Sequence, residues 1–449
     1  MRTFLFIVSA ALIVASIIVW KLQPPPTSDG RVVLTWVTDD NPARKGQAAL
    51  YERLHPNIKI NIDPVNGGVE KVIVQCLAGV GPDVFDAFDA FQLAAYVKSG
   101  VALDVTEQLH KAGVDLKRDA FPGALGTSVY AGRTYGVPTN LAADGLWYHQ
   151  DLIREAGVTI PKGSWTWEQL IPIAQRLTKR GADGRITQYG LMFEWWNWRH
   201  FFTVFGARVF NQAGTKCTTD SREAIAAIQM MVDLVYKYHV SPTPVEESSI
   251  ATQGGFGSGY ISLLAAKRGA MAIGGRWWLG QLRGMKGLEL GVAESPIGSI
   301  HASHAYGRGM LVNKQSDHLA EALKFQRFLS SDAYLNLVND QADGAGAFLK
   351  SDETPRFLFN PNYPTERSND VWLRIMKMGV GDEVSPFVDT NTVSRLIQTQ
   401  IDLVQTGQKS PTEAMRAAAK NINEAIAKAV SEDPSLTEKY NLVNLEPVR

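Results

Sequence analysis

Cysteine is nearly missing from this chain. Cys76 and Cys217 lie far apart and in no metal-ligand spacing. Two buried free thiols are expected, because unpaired Cys is among the most buried residue types. An oxidising compartment would permit a disulfide, but sequence cannot bring the two together. An excess of one charge is missing too: 45 Lys and Arg balance 45 Asp and Glu. Nucleic-acid binders usually carry a basic surplus, and no basic run is visible, so no nucleic-acid partner is expected. Internal repeats and low-complexity segments are absent. The glycine-dense Gly254-Gly255-Phe256-Gly257-Ser258-Gly259 lacks the Lys-Ser/Thr ending of a phosphate-binding loop and the spacing of a dinucleotide fingerprint. It is expected to be a flexible loop, and neither cofactor nor metal is expected.

What remains is an ordinary globular composition, 45% hydrophobic and 20% charged. Its 449 residues suffice for two domains or one bilobed unit. Phe4 to Trp20 form an apolar run behind Arg2, and a Pro-rich spacer follows to Gly30. Residues 1–30 are expected to be an uncleaved signal anchor, or an inefficiently cleaved signal peptide, with its spacer. Either would put the body outside the cytoplasm, tethered by residues 4–20 in the first case. Eleven Trp are present, several beside Gly or Asn. About half belong in a core. Indole faces also stack on sugar rings, which are apolar on their C–H faces and polar at their rims.

Val32 to Val37 is β-branched enough for a buried strand, Arg44 to Leu54 suits a helix, and Ile58 to Ile62 alternates as a second strand. Strand–helix–strand order implies a parallel α/β sheet, whose ligands bind off the carboxyl ends of the strands. Thr38 and Asp39 fall at such an end; a solvated turn with a helix cap is the alternative. Gly81-Pro82-Asp83-Val84 leads to Asp86, Phe88 and Asp89 at the next strand end. Carboxylates there can accept hydrogen bonds from vicinal hydroxyls while the aromatic offers a stacking face. Further on, Tyr189 to Phe193 reads as a strand ending in Glu194-Trp195-Trp196-Asn197-Trp198-Arg199. An apolar helix stripe would space its Trp by three or four. Glu194, Trp196 and Trp198 are therefore ligand candidates, with a helix start packed under the sheet as the alternative.

The stretch Tyr135 to Thr178 organises the rest. Tyr135-Gly136-Val137-Pro138-Thr139-Asn140 is a punctuated turn. A strand through Leu146-Trp147-Tyr148-His149 leaves it, and helices begin at Asp151 and Trp167. No nucleophile with its base appears in it. Several further words occur in order: Gly81-Pro82-Asp83-Val84, Gly269 to Ile273 followed by Gly274-Gly275-Arg276-Trp277-Trp278, and Ser410-Pro411-Thr412-Glu413. In this order and spacing the chain resembles the extracellular solute-binding proteins of ABC importers, the maltose-binding-like family 1 group, over roughly residues 31–430.

That resemblance implies a periplasmic-binding-protein-like bilobed α/β fold with three crossing segments. The crossings would be the central stretch, Pro296 to Val312, and Gly344 to Ser351; the family usually has a Pro near the third, and this chain does not. Residues 31–140 and 309–345 would form the first lobe, 141–308 and 346–449 the second. Glu194 and Trp196 would match the family's Glu and aromatic, and Trp277 its stacking Trp, with Trp278 as the one-residue alternative. Asn140, Tyr306 and Arg308, on the crossings, would line the cleft. The implied function is capture of a sugar or oligosaccharide by a monomer that is not an enzyme, for delivery to membrane permease subunits driven by a separate ATPase. Two alternatives stand: an extracytoplasmic glycan hydrolase using Asp86 or Asp89 against Glu194, and a ligand-sensing partner of a membrane kinase. Asp86 with Asp89 is discounted as a catalytic pair, because two carboxylates in one short loop do not flank a glycosidic bond.

Overall fold

The structure, a computed structural model, describes residues 30–65, 68–246, 258–352, 355–364 and 366–445. The apolar run 4–20 and most of the glycine-dense segment lie outside the described residues. Among those described, no helix is long and apolar enough to cross a membrane.

The chain begins as its pattern suggests. Strand β1 (Val32–Val37) leads through helix α1 (Pro42–Leu54) to β2 (Ile58–Ile62), and β1 pairs in parallel with β2 and with β3 (Val84–Ala87). Asn41 caps α1, accepting from the Arg44 N–H at 2.9 Å, with Pro42 in the first turn. Asp83 orders the turn before β3 by accepting the Thr35 N–H at 2.8 Å. Helix α2 (Ala90–Lys98) follows.

Three chain segments then cross the middle of the molecule side by side. Strand β4 (Gly136–His149) is fourteen residues long. Its first half pairs antiparallel with β7 (Ser303–Val312), its second with β5 (Met271–Gly275) and β6 (Leu290–Ala293). The third segment crosses at Ala345, which exchanges both backbone hydrogen bonds with Leu141 at 2.9 and 2.8 Å. Gly344 makes this approach possible. Its φ is +71°, and a Cβ there would lie 2.4 Å from the Leu141 carbonyl oxygen. The main sheet runs β6–β4–β7–β3–β1–β2, with β5 beside β4 and the short β8 (Gly379–Val380) beside β7.

Apolar residues gather in separate cores. One holds Leu34, Trp36, Tyr51 and Val84 beneath helices α6 (Leu319–Phe328) and α7 (Asp332–Gln341). A second holds Trp165, Leu170 and Leu177 of and before helix α3 (Trp167–Leu177). To it helix α4 (Trp198–Phe205) adds Trp198 and Phe201, α5 (Arg222–Val232) adds Ile228, and α8 (Thr390–Gln405) and α9 (Pro411–Glu432) add Ile397 and Met415. Ser410 and Glu413 close a reciprocal capping box at the start of α9.

One expectation changes. The strand foreseen over Tyr189 to Phe193 shrinks to single bridges at Tyr189 and Met192. Its N–H groups are divided between Arg268 and Met271 on one side and Val240 on the other, so no continuous ladder forms. The cysteines are both buried and free. Burial pushes the Cys76 thiol up to about 11, which leaves it inert as a nucleophile.

Candidate functional site

Alternation along β7 puts His304, Tyr306 and Arg308 on one face of a crossing strand. Each is held by a different set of neighbours, and together they join two clusters.

The first cluster surrounds Arg308. One guanidinium nitrogen donates to Asp39 Oδ1 at 2.5 Å, the other to Asp343 Oδ2 at 2.9 Å. The guanidinium also stands 5.9 Å from the Phe88 ring centre. Asn140 fixes the backbone here: its Oδ1 accepts the Arg308 N–H at 3.1 Å, and its Nδ2 donates to the Asp343 carbonyl at 2.9 Å. Behind them Arg44 donates to Asp39 at 3.1 Å and to Asp343 at 2.5 Å. Asp39 remains 41% exposed at its side chain, and Asn41 also donates to it. Asp86 lies deeper, 2% exposed. It accepts from the Trp36 indole at 2.9 Å and from the Thr38 hydroxyl at 2.7 Å. Burial pushes its carboxyl up to about 7, although those hydrogen bonds and Arg44 oppose the shift.

The second cluster surrounds Tyr306. Its hydroxyl donates to Asp144 Oδ1 at 3.1 Å and accepts from the Trp277 indole N–H at 3.0 Å. Trp196 meets the ring edge-on at 5.8 Å, and His304 lies against it at 5.3 Å and 26°. Glu194 sits near enough to help raise the Tyr306 hydroxyl well above its ordinary range, behind the larger effects of burial and Asp144. Asp144 and His200 are wholly buried. Asp144 Oδ2 lies 3.8 Å from His200 Nδ1 and 3.7 Å from His304 Nδ1, and His304 Nε2 stands 3.1 Å from Asp382. The two imidazoles diverge. Burial drives His200 down to about 4, with Asp144 in opposition. Burial also works against a charge on His304, but Asp382 and Asp144 outweigh it and push the ring up to about 9. Beside His304 a cavity of about 350 Å³ opens, bounded by Phe202, Arg208, Ile300 and Asp382.

The structure therefore brings Thr38, Asp39, Asp86, Phe88, Asn140 and Arg308 into one group, and Glu194, Trp196, Trp277 and Tyr306 into a second. Two expected residues are taken up by packing and capping. Trp198 is 2% exposed and packs in the second core, edge-on to Phe202 at 5.0 Å, because it opens α4 rather than ending a strand. Asp89 caps α2, accepting the Gln92 N–H at 2.8 Å. Asp86 is near the site but turned inward, each oxygen accepting a bond from Trp36 or Thr38. Sequence reasoning missed Asp144, His200, His304, Asp343 and Asp382. The period-two pattern through Tyr306 and Arg308 pointed to His304; nothing local marks Asp343 or Asp382.

The bacterial extracellular solute-binding protein family matches residues 36–335, more than half of the chain. The chain belongs to this family. Solute-binding proteins of known structure share its fold. A substrate-binding protein of Listeria monocytogenes in complex with cycloalternan superposes with a TM-score of 0.75 at 22% identity, covering 88% of this chain and 99% of that one. A maltose-bound protein of T. maritima gives 0.71 at 22%, covering 87% and 98%. Among sequence relatives, an arabinooligosaccharide-binding protein of Halalkalibacterium halodurans is 23% identical over 314 residues, 65% of each chain. An uncharacterized ABC transporter extracellular-binding protein of Pyrococcus horikoshii is 28% identical over 142 residues, 30% of this chain and 31% of that one. This solute-binding protein thus spans under two thirds of the length of either sequence relative.

Proposed function

We propose that this solute-binding protein captures a sugar or oligosaccharide in a cleft between two lobes, residues 31–140 with 309–345 and 141–308 with 346–449. It then delivers the ligand to an ABC permease in the membrane. It works outside the cytoplasm, held there by residues 4–20, and performs no chemistry on what it binds. One observation carries this reading: two half-buried indoles, Trp196 and Trp277, converge on Tyr306, two positions along the same strand from Arg308, which Asp39 and Phe88 flank. Aromatic faces take the apolar side of a sugar ring, and carboxylate and guanidinium groups take its hydroxyls. The sugars bound by the Listeria and T. maritima proteins support the same ligand class.

Hydrolysis is disfavoured by Asp86, whose two oxygens are occupied by Trp36 and Thr38, and by Asp89, whose side chain caps a helix. Calorimetric titration of the purified protein with monosaccharides, maltotriose, arabinotriose and mannotriose tests the reading. Saturable binding of at least one, with no reducing ends released on long incubation, is expected. A flat titration across the panel would sink it.

A further inference from the structure

Tyr306 has no proton left to donate into the middle of the site: its one O–H is directed at Asp144, and one of its lone pairs already accepts from Trp277. What it can offer is its ring. The ring's orientation is set from below, by a carboxylate that is fully buried.

Asp144 is itself rigidly seated. It lies on β4 opposite Gly275 of β5, the strand that delivers Trp277. Its backbone carbonyl accepts from the Ser303 hydroxyl at 2.7 Å, tying β4 to the start of β7. Its two oxygens face different ways. Oδ1 takes the Tyr306 proton; Oδ2 faces His200 and the cationic His304. Gly275 completes the arrangement. A Cβ there would come within 2.7 Å of both Trp277 Cδ1 and the Tyr306 hydroxyl oxygen, so only glycine lets the indole lie down on that hydroxyl.

We propose that Asp144, through the chain Asp144–Tyr306–Trp277, is a positioning residue for ligand binding. It locks the two rings into one platform, and so makes this end of the site a reader of apolar sugar faces rather than of hydroxyls. The inference rests on the sugar reading above. It assigns binding energy to a residue that touches no ligand.

The test is a double-mutant cycle on affinity for maltotriose, arabinotriose and mannotriose, with the folded fraction of each variant fixed by its melting curve. Asp144→Leu keeps volume but removes the acceptor; Asp144→Asn keeps an acceptor oxygen for Tyr306. Tyr306→Phe removes the hydroxyl without touching the buried histidines, and serves if Asp144→Leu fails to fold. Expected are a loss of tenfold or more in affinity for Asp144→Leu and Tyr306→Phe, and a loss within about threefold for Asp144→Asn. Trp277→Ala, costly in the wild type, should cost little in either disrupted background, because the platform has already come apart. A merely structural role predicts additive losses. Unchanged affinity in Tyr306→Phe, or additivity with Trp277→Ala, overturns the positioning role while leaving sugar binding intact. If the wild type binds neither these three nor the monosaccharides of the panel, the sugar reading falls and this inference falls with it.

Discussion

Asp86 sits in an environment far from that of a surface carboxylate. Burial raises its carboxyl to about 7, against an unfolded value near 4. The folded state then holds the proton more tightly than the unfolded one. Asp86 therefore contributes stability that is fully present below about pH 4 and lost as pH rises through about 7. Replacing it with Asn removes that dependence. The difference in melting temperature between Asp86→Asn and wild type should grow in favour of the variant from pH 5 to pH 8; a constant difference would contradict the raised value. His304 acts in the same direction over a higher window, its stabilisation being lost as pH rises from about 6.5 through 9. His304→Gln should flatten the alkaline part of the melting profile and leave the Asp86 window alone. Asp86 and His304 also mark the limit of reading residues singly. Asp86 was legible as an acid at a strand end, but not as an acid turned inward, since Trp36 and Thr38 enclose it from another strand.

Among the elements, β4 and α3 show how packing selects small residues. Gly190 lies so close to the end of α3 that an added Cβ would come within 1.8 Å of the Ala174 carbonyl oxygen. Gly190→Ala must push backbone against backbone, an overpacking cost of roughly 1–3 kcal/mol. Chemical denaturation should show a lowered midpoint with an unchanged slope; an unchanged midpoint would mean the helix end yields freely. The capping box before α9 is a milder case. Ser410→Ala removes the acceptor for the Glu413 N–H and should cost about 1 kcal/mol in the same measurement. Ser-Pro-x-Glu announced that helix start in the sequence because capping is local. The strand expected over Tyr189 to Phe193 failed because its partners are not: Arg268, Met271 and Val240 each take one of its bonds.

On the scale of the molecule, three crossings meet at Arg308 and Asn140. Arg308 bonds to Asp39, 269 residues away in the chain, and to Asp343 beside the third crossing. Arg308→Met would leave Asp39 and Asp343 to share Arg44. Removing one partner of a buried pair costs roughly 3–5 kcal/mol, and the loss should appear as a depressed unfolding free energy in urea. A change below about 1 kcal/mol would show that the network is dispensable. Ligand acts in the opposite sense. At 100 times its dissociation constant, a sugar that binds only the folded state should stabilise by about 2.7 kcal/mol. Trp277→Ala should abolish that thermal shift at the same sugar concentration, beyond whatever it lowers the unliganded melt.

The sequence alone determined the α/β class, the opening strand–helix–strand order, the capped start of α9, and the aromatic words that carry Trp196 and Trp277. These follow from spacing, turn chemistry and short-range hydrogen bonds, which a linear pattern records. Only the tertiary structure decided which acids stand together. Asp89 caps a helix and Trp198 fills a core, while Asp144, His304, Asp343 and Asp382 converge from distant segments. A carboxylate's role is set by what surrounds it, and here those surroundings are assembled when the three crossings come side by side.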